Sequence, residues 1–305
     1  MIKIIIGIPT YNGAPTIKKT FVSLYRAVLY LKKYIHCKAE IIFLLNGCTD
    51  NTKEIVGEIQ KNHSSGNIRF VELQKKGKVS ALNYLRKFNS DIISYIDDDI
   101  LLDKDIFYKA VLTFLNDKKV WAMYAESYPL PARQEANWRE KLIYNAMTLR
   151  IRYNLQPNKG DLLVGRCIFI RKERFPLFPI EIINEDQYLR YAFFPHIKKV
   201  QGSIVYYEGI YSFRNYFLRD LRIVAGRRQL KNGRYFHRSL ISEVDSKIGK
   251  KINLKKVLRL DAKIVSLYFI SRIVYRISKL FVYFYLFFKK TPLWKRTCQI
   301  RNNYK

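Results

Sequence analysis

The sequence predicts an α/β protein with a mostly parallel sheet flanked by helices, followed by a basic helical C-terminal region. Three observations carry this expectation. Short β-branched apolar runs alternate with amphipathic helical segments over the first 125 residues. One such run, Ile92–Ile96, ends in an unbroken acidic triplet, Asp97-Asp98-Asp99, where an open α/β sheet places its ligands. Residues 201–305 hold 24 Lys and Arg against 5 Asp and Glu, in a chain of formal net charge +31.

The N-terminal run through Ile4, Ile5, Ile6, Ile8 and Pro9 reads as a first buried strand, too short and too β-branched for a signal peptide. Ile17, Phe21, Leu24, Val28 and Leu31 recur at spacings of four and three, which makes one apolar helical face. Ala39–Leu45 is the second strand, and Asn46-Gly47-Cys48-Thr49-Asp50-Asn51-Thr52 supplies turn chemistry and a helix N-cap. A helix through Ile55 and Ile59 leads to a strand over Ile68–Leu73. A helix through Leu82 and Leu85 leads to Ile92–Ile96, and the next runs through Phe107, Val111 and Leu115. Beyond it, Gln134–Tyr153 reads as helix, Leu162–Val164 and Cys167–Ile170 as strands, Glu185–Phe193 as helix and Ile197–Tyr207 as strand. From about residue 211 the pattern is helical and basic.

At 305 residues and 49% hydrophobic content the chain can bury one large core with an appendage, so disorder is excluded as its state. Cys37, Cys48, Cys167 and Cys298 show neither zinc-ligand nor disulfide-framework spacing, and a reducing cytoplasm is the expected setting.

Three carboxylates at the end of a buried strand repel one another and lose hydration, so folding alone gives no reason to collect them. A divalent cation shared with substrate phosphates does. The competing reading makes the triplet an N-cap, but a cap needs one Asp, and Asp103 or Asp105 is better placed for the helix that follows.

Five segments in order resemble the family 2 glycosyltransferases, inverting nucleotide-sugar enzymes of the GT-A fold. They are Ile8-Pro9-Thr10-Tyr11-Asn12, Asn46–Thr52, Lys76-Gly77-Lys78-Val79-Ser80-Ala81-Leu82-Asn83, Asp97–Asp99 at the family's DxD position, and Asn184-Glu185-Asp186 at its ED position. The resemblance covers residues 1–210. It implies a catalytic domain there, with nucleotide-sugar binding in 1–125, the acceptor side in 126–210, and the basic region in 211–305. It further implies Mn²⁺ or Mg²⁺ held by Asp97 and Asp99, with Asp186, or less favourably Glu185, as catalytic base. Nucleotide-sugar contacts are expected from Pro9, Thr10, Tyr11, Asn12, Asn46, Lys78, Asp97 and Asp98, and from Arg227 or Arg228 closing as a cationic clamp. The expected donor is a nucleotide diphosphate sugar, with UDP-sugars favoured, and the expected acceptor is a saccharide or polyprenyl-linked glycan of the cell surface.

Two departures matter. Leu45-Asn46 stands where many members carry two aspartates, so an acidic partner for the nucleotide base is missing, and Asn46 could pair with uracil or with another base. The QxxRW motif of the membrane-embedded synthases is absent, which disfavours processive polymerisation.

Residues 264–288 are apolar and aromatic except for Arg272, Arg276 and Lys279, whose spacing of four and three puts them on one helical face that would meet anionic lipid. Burying each cation near a bilayer centre would cost roughly 2.5–3.5 kcal/mol. The expectation is therefore an interfacial helix over 264–290 on an anionic membrane surface, peripheral to the inner face of the cell membrane. A sequence pI near 9.9 also suits nucleic acid. Concentrated acids in a cleft oppose that, so no nucleic-acid partner is expected. The other alternative is a homologue that binds nucleotide sugar without turnover.

Overall fold

The computed structural model describes residues 1–63, 67–74, 77–153, 155, 165–232, 234–247 and 257–288. The chain divides into two units, Met1–Ser127 with Leu163–Tyr207 and Tyr128–Leu162 with Glu208–Tyr304.

The first unit is built on a mixed sheet whose strands, in chain order, are β1 (Ile2–Thr10), β2 (Cys37–Leu45), β3 (Ile68–Glu72), β4 (Ile92–Ile96), β5 (Ile100–Leu102), β6 (Ala122–Pro129), β7 (Cys167–Arg171) and β8 (Ile197–Tyr207). Their order across the sheet is β3-β2-β1-β4-β7-β6-β8-β5. The helices of this unit are α1 (Ile17–Tyr34), α2 (Thr52–Asn62), α3 (Lys78–Leu85), α4 (Ile106–Asn116) and α6 (Glu185–Phe193), while α5 (Trp138–Arg152) falls in the other.

β1 pairs in parallel with β2 and β4, and β2 with β3. The β4–β7, β6–β7 and β5–β8 pairs are antiparallel. All five residues of β4 are buried, as expected of a central strand covered on both faces. The chain passes from β1 outward to β2 and β3, then returns to lay β4 on the other side of β1. That reversal leaves the carboxyl ends of β1 and β4 flanking a switch point, the usual crevice for a ligand in an open α/β sheet.

α1 buries Ile17, Phe21, Leu24, Val28 and Leu31, the face its spacing predicts, and adds Thr20 and Ala27. Each such aliphatic or aromatic burial contributes about 1.5–3 kcal/mol. In α4 the core-facing stripe is Phe107, Val111 and Phe114, whereas Leu115 is 45% exposed. The acidic triplet does not cap α4, because β5 stands between them. Asp103 and Asp105 do not cap it by side-chain hydrogen bonds either: Asp103 accepts from the Ile204 amide at 2.8 Å and Asp105 from Ser203 Oγ at 2.6 Å, tying the loop to β8. The predicted strand over Leu162–Val164, together with Lys76, residues 289–290 and Cys298, lies outside the described residues.

The second unit contains α5, α7 (Phe213–Lys231), α8 (Arg238–Lys247) and α9 (Ala262–Phe288). α9 packs on α5 through Tyr268 against Leu149, and on α7 through Val282 and Leu286 against Leu221 and Val224. Between these contacts Asp220, 1% exposed, accepts from Ser278 Oγ at 3.3 Å and lies 3.6 Å from Lys279 Nζ. This corrects the expectation that Lys279 shares an outward face with Arg272 and Arg276. Lys279 follows Ser278 on the packed seam, and its aliphatic stem lets the ammonium turn in to Asp220. The opposite face of α9 exposes Ile273, Ile277, Leu280, Phe281, Phe284, Phe287 and Phe288. Among the described residues no helix is long and apolar enough to cross a membrane.

Candidate active site

Segments of the first unit converge at the carboxyl ends of β1, β2 and β4. The loops after β1 and β2 are tied by Asn12, whose φ of 50° is a left-handed conformation that Asn tolerates. Its Oδ1 accepts from the Thr49 amide at 2.8 Å and its Nδ2 donates to Thr49 Oγ1 at 3.1 Å. The cap of α2 comes from Asp50 rather than Asn51, since Asp50 Oδ1 accepts from the Thr52 amide at 3.2 Å and from the Thr52 hydroxyl. Burial alone would raise the Asp50 pKa, but these bonds and one from the Ala14 amide hold it below the usual carboxylate value.

Asn46, 8% exposed, links the second loop to the start of α3 by accepting from the Gly77 amide at 2.7 Å. Gly77 has a φ of 118°, which only glycine adopts readily, and it turns the chain so that Lys78 opens the helix. The Lys78 ammonium then lies 2.6 Å from Asp97 Oδ1 and 2.9 Å from Glu185 Oε1. Asn83, further along α3, holds the backbone of Phe178 by two bonds of 2.8 and 2.9 Å, and so fixes the segment that leads to α6.

α6 begins with Asn184, whose side chain accepts from the Gln187 amide at 3.2 Å. This cap places Glu185 and Asp186 in the first turn, where negative charge suits the helix dipole. The Glu185 side chain is 3% exposed, and Lys78 supplies a counter-charge to it. A buried carboxylate with no such partner would be driven to its neutral form.

The sequence reading missed two contributors to this arrangement. Gly165 lies against Asp186: a Cβ there would fall 1.6 Å from Asp186 Oδ1, so the carboxylate occupies space that any other residue would fill. Tyr95 on β4 is fully buried, and its hydroxyl has no hydrogen-bond partner among the described residues. Burial pushes its pKa well above the ordinary value, and the charges of Asp186, Glu185 and Asp97 push it the same way, so the hydroxyl stays protonated. Cys167 is similarly raised by burial and by Asp97, which excludes it as a thiolate nucleophile.

The triplet itself is divided. Asp97 is partly exposed and paired with Lys78, Asp98 is buried with its carbonyl accepting from Thr20 Oγ1 at 3.0 Å, and Asp99 is exposed. Among the described residues no three metal-ligating side chains are preassembled around one point. The donor set nevertheless fits Mg²⁺ or Mn²⁺. Asp97 and Asp99 offer hard carboxylate oxygens, and such ions take one or two carboxylates with the remainder from phosphate and water. Pro9, Tyr11 and Asn12 are partly exposed around the end of β1, with Thr10 buried. Arg227 belongs to the second unit, where its Nη2 lies 2.8 Å from Asp245 Oδ2.

The chain belongs to glycosyl transferase family 2, whose family model matches residues 5–175. It has the GT-A fold. The poly-β-1,6-N-acetyl-D-glucosamine synthase of Staphylococcus aureus is 34% identical over 115 residues, which is 37% of this chain and 26% of that protein. The matched segment therefore spans about a quarter of that relative's length. In fold the chain resembles the mannosyltransferase PcManGT from Pyrobaculum calidifontis in complex with GDP-Man and Mn²⁺, at a TM-score of 0.58 and 14% identity, covering 98% of this chain and 86% of that one. It also resembles S. aureus TarS 1–349 in complex with UDP, at a TM-score of 0.51 and 18% identity, covering 86% of this chain and 76% of that one.

Proposed function

We propose that the chain transfers a sugar from a nucleotide diphosphate sugar, UDP-sugars favoured, to a saccharide or polyprenyl-linked acceptor in cell-surface glycan synthesis, with Mn²⁺ or Mg²⁺ and with inversion at the anomeric carbon. The observation that carries this reading is the Lys78 bridge, which joins the triplet's Asp97 to the acidic pair of α6 in one site. The synthase relative and the UDP-bound TarS support the substrate class, and the Mn²⁺ complex of PcManGT supports the metal.

Asp97 and Asp99 would hold the metal, which when bound neutralises the leaving diphosphate. Tyr11, just after β1, would stack on the nucleotide base, and Pro9, Thr10 and Asn12 would shape the same loop. Asp186 takes the proton of the acceptor hydroxyl as its oxygen attacks the anomeric carbon. The bond from that carbon to the phosphate oxygen breaks, and its electron pair leaves with the nucleoside diphosphate. Attack opposite the leaving group inverts the centre in one step. Glu185, buried and salt-bridged, sets the field around Lys78 rather than moving a proton.

The exposed apolar face of α9 supports peripheral association with the inner face of the cell membrane, with Arg276 among the cations at hand for anionic headgroups.

Thermal stabilisation across UDP-, GDP-, CMP- and dTDP-sugars, with and without Mn²⁺, tests the donor site. A shift with one nucleotide class that needs metal and disappears in Asp99→Ala is the expected result. Absence of any shift overturns the reading.

A further inference from the structure

Arg166 is the residue just before β7, and its carbonyl accepts from the Asp97 amide at 2.8 Å, extending the β4–β7 ladder by one rung beyond Ile96 and Cys167. It thus stands beside the acidic triplet at the carboxyl end of β4. Its guanidinium carbon lies 3.6 Å from the ring centroid of Tyr207, the last residue of β8. Tyr207 pairs across the sheet with Ile100, which immediately follows the triplet, so ring and guanidinium belong to the same end of the sheet as Asp97–Asp99.

Stacking on an aromatic face fixes the plane of a guanidinium but uses none of its five N–H donors. Among the described residues Arg166 has no hydrogen bond or ion pair through its side chain, although a carboxylate strand end adjoins its backbone. Asp97, the nearest acid along the ladder, is instead taken by Lys78 at 2.6 Å. Arg171, at the opposite end of β7, shows the contrast, because its donors are occupied by the carbonyls of Val120, Phe114 and Asp117. A half-buried, oriented fork of this kind, next to carboxylates that suit a phosphate-bridging cation, has the form of an oxyanion receptor.

We propose that Arg166, held flat on Tyr207, recognises a phosphate of the bound substrates, either the diphosphate of the donor or a phosphate carried by the acceptor. The proposal deepens the transferase reading and rests on it. Chemically it lets the substrate pair be more anionic on the β7 side than the acid triplet alone allows.

The test is calorimetric titration of the full chain, wild type, Arg166→Ala and Arg166→Lys, with UDP plus Mn²⁺, with UMP plus Mn²⁺, and with geranyl diphosphate in the presence of saturating UDP and Mn²⁺. Thermal melts of the variants check folding, and Arg166→Lys, which keeps the charge and loses the fork, serves if Arg166→Ala does not fold. Loss of one charge-assisted bidentate contact weakens binding about 10- to 100-fold. If UDP weakens by that factor in Arg166→Ala while UMP does not, the phosphate is the donor's. If UDP is unchanged and geranyl diphosphate weakens, it is the acceptor's. Unchanged affinity for both in folded variants overturns the Arg166 assignment and leaves the transferase reading intact. A wild-type chain that binds neither UDP nor geranyl diphosphate overturns both.

Discussion

Lys78 Nζ lies 2.9 Å from Glu185 Oε1, and through a second contact of 2.6 Å to Asp97 it joins a helix start to a strand end 19 residues away in sequence. The lysine is 17% exposed and Glu185 3%, so neither charge has water enough to stand alone.

Removing the lysine takes a counter-charge from the buried Glu185 carboxylate. Lys78→Met is therefore expected to lower stability by about 3–5 kcal/mol, read by urea denaturation. Lys78→Met/Glu185→Gln is expected to recover much of that loss. Equal losses in the single and double variants would show that Glu185 does not depend on Lys78.

Asp186→Asn keeps shape and removes the proposed base, so turnover is expected to fall about 10²- to 10⁴-fold, with donor affinity kept. Gly165→Ala should reproduce the turnover loss from outside the reacting atoms, because its methyl displaces the Asp186 carboxylate. Nucleoside diphosphate release measured beside UDP affinity checks both. Full activity in Gly165→Ala would show that the carboxylate tolerates displacement.

Tyr95→Phe deletes a buried hydroxyl that makes no hydrogen bond among the described residues. An unsatisfied buried group costs about 1–3 kcal/mol, so the variant should be more stable than the parent in denaturant. A loss of stability would mean that the hydroxyl is partnered in solution.

Asp245 in α8 is bracketed by Arg227 at 2.8 Å and Lys231 at 2.7 Å. Burial would raise its pKa, but bonds from both cations leave it below the ordinary 3.8. Its folded pKa is thus depressed, and its contribution is present above pH 3.8 and lost as pH falls from there through the lower folded value. Asp245→Asn should lose that acid-side dependence and, with both cations nearly half exposed, cost only about 1 kcal/mol at neutral pH. Parallel acid denaturation curves for parent and variant would contradict this.

Phe284→Glu/Phe288→Glu places charge on the exposed face of α9 and leaves its packed seam of Tyr268, Ser278 and Val282 untouched. Co-sedimentation with phosphatidylglycerol vesicles should fall about tenfold or more, because binding scales with the apolar area buried in the interface, with an unchanged melting temperature. Undiminished sedimentation would remove the membrane reading of α9.

Periodicity and end chemistry made the first half of the sheet legible. The strand over Ile92–Ile96, the helix over Glu185–Phe193 and the strand over Ile197–Tyr207 appear with the bounds expected of them. β5 escaped notice because three residues carry no period and are strand only through pairing with β8. The antiparallel half was not visible either, since strand direction is a property of connections and not of composition. At the site, acids announce themselves by cost, whereas Gly165 and Tyr95 act through the space one omits and the burial the other undergoes. Neither leaves a local pattern. Lys279 shows the limit of helical-face arithmetic, because a long stem lets a cation leave the face its spacing assigns.

α9 covers Leu149 of α5 and Leu221 of α7 with one side and exposes phenylalanines on the other. Shortening the chain before Ala262 to make a more tractable enzyme would therefore exchange one greasy surface for another and uncover the Asp220 carboxylate as well. Detergent or lipid nanodiscs around the intact helix are the better route to a well-behaved preparation.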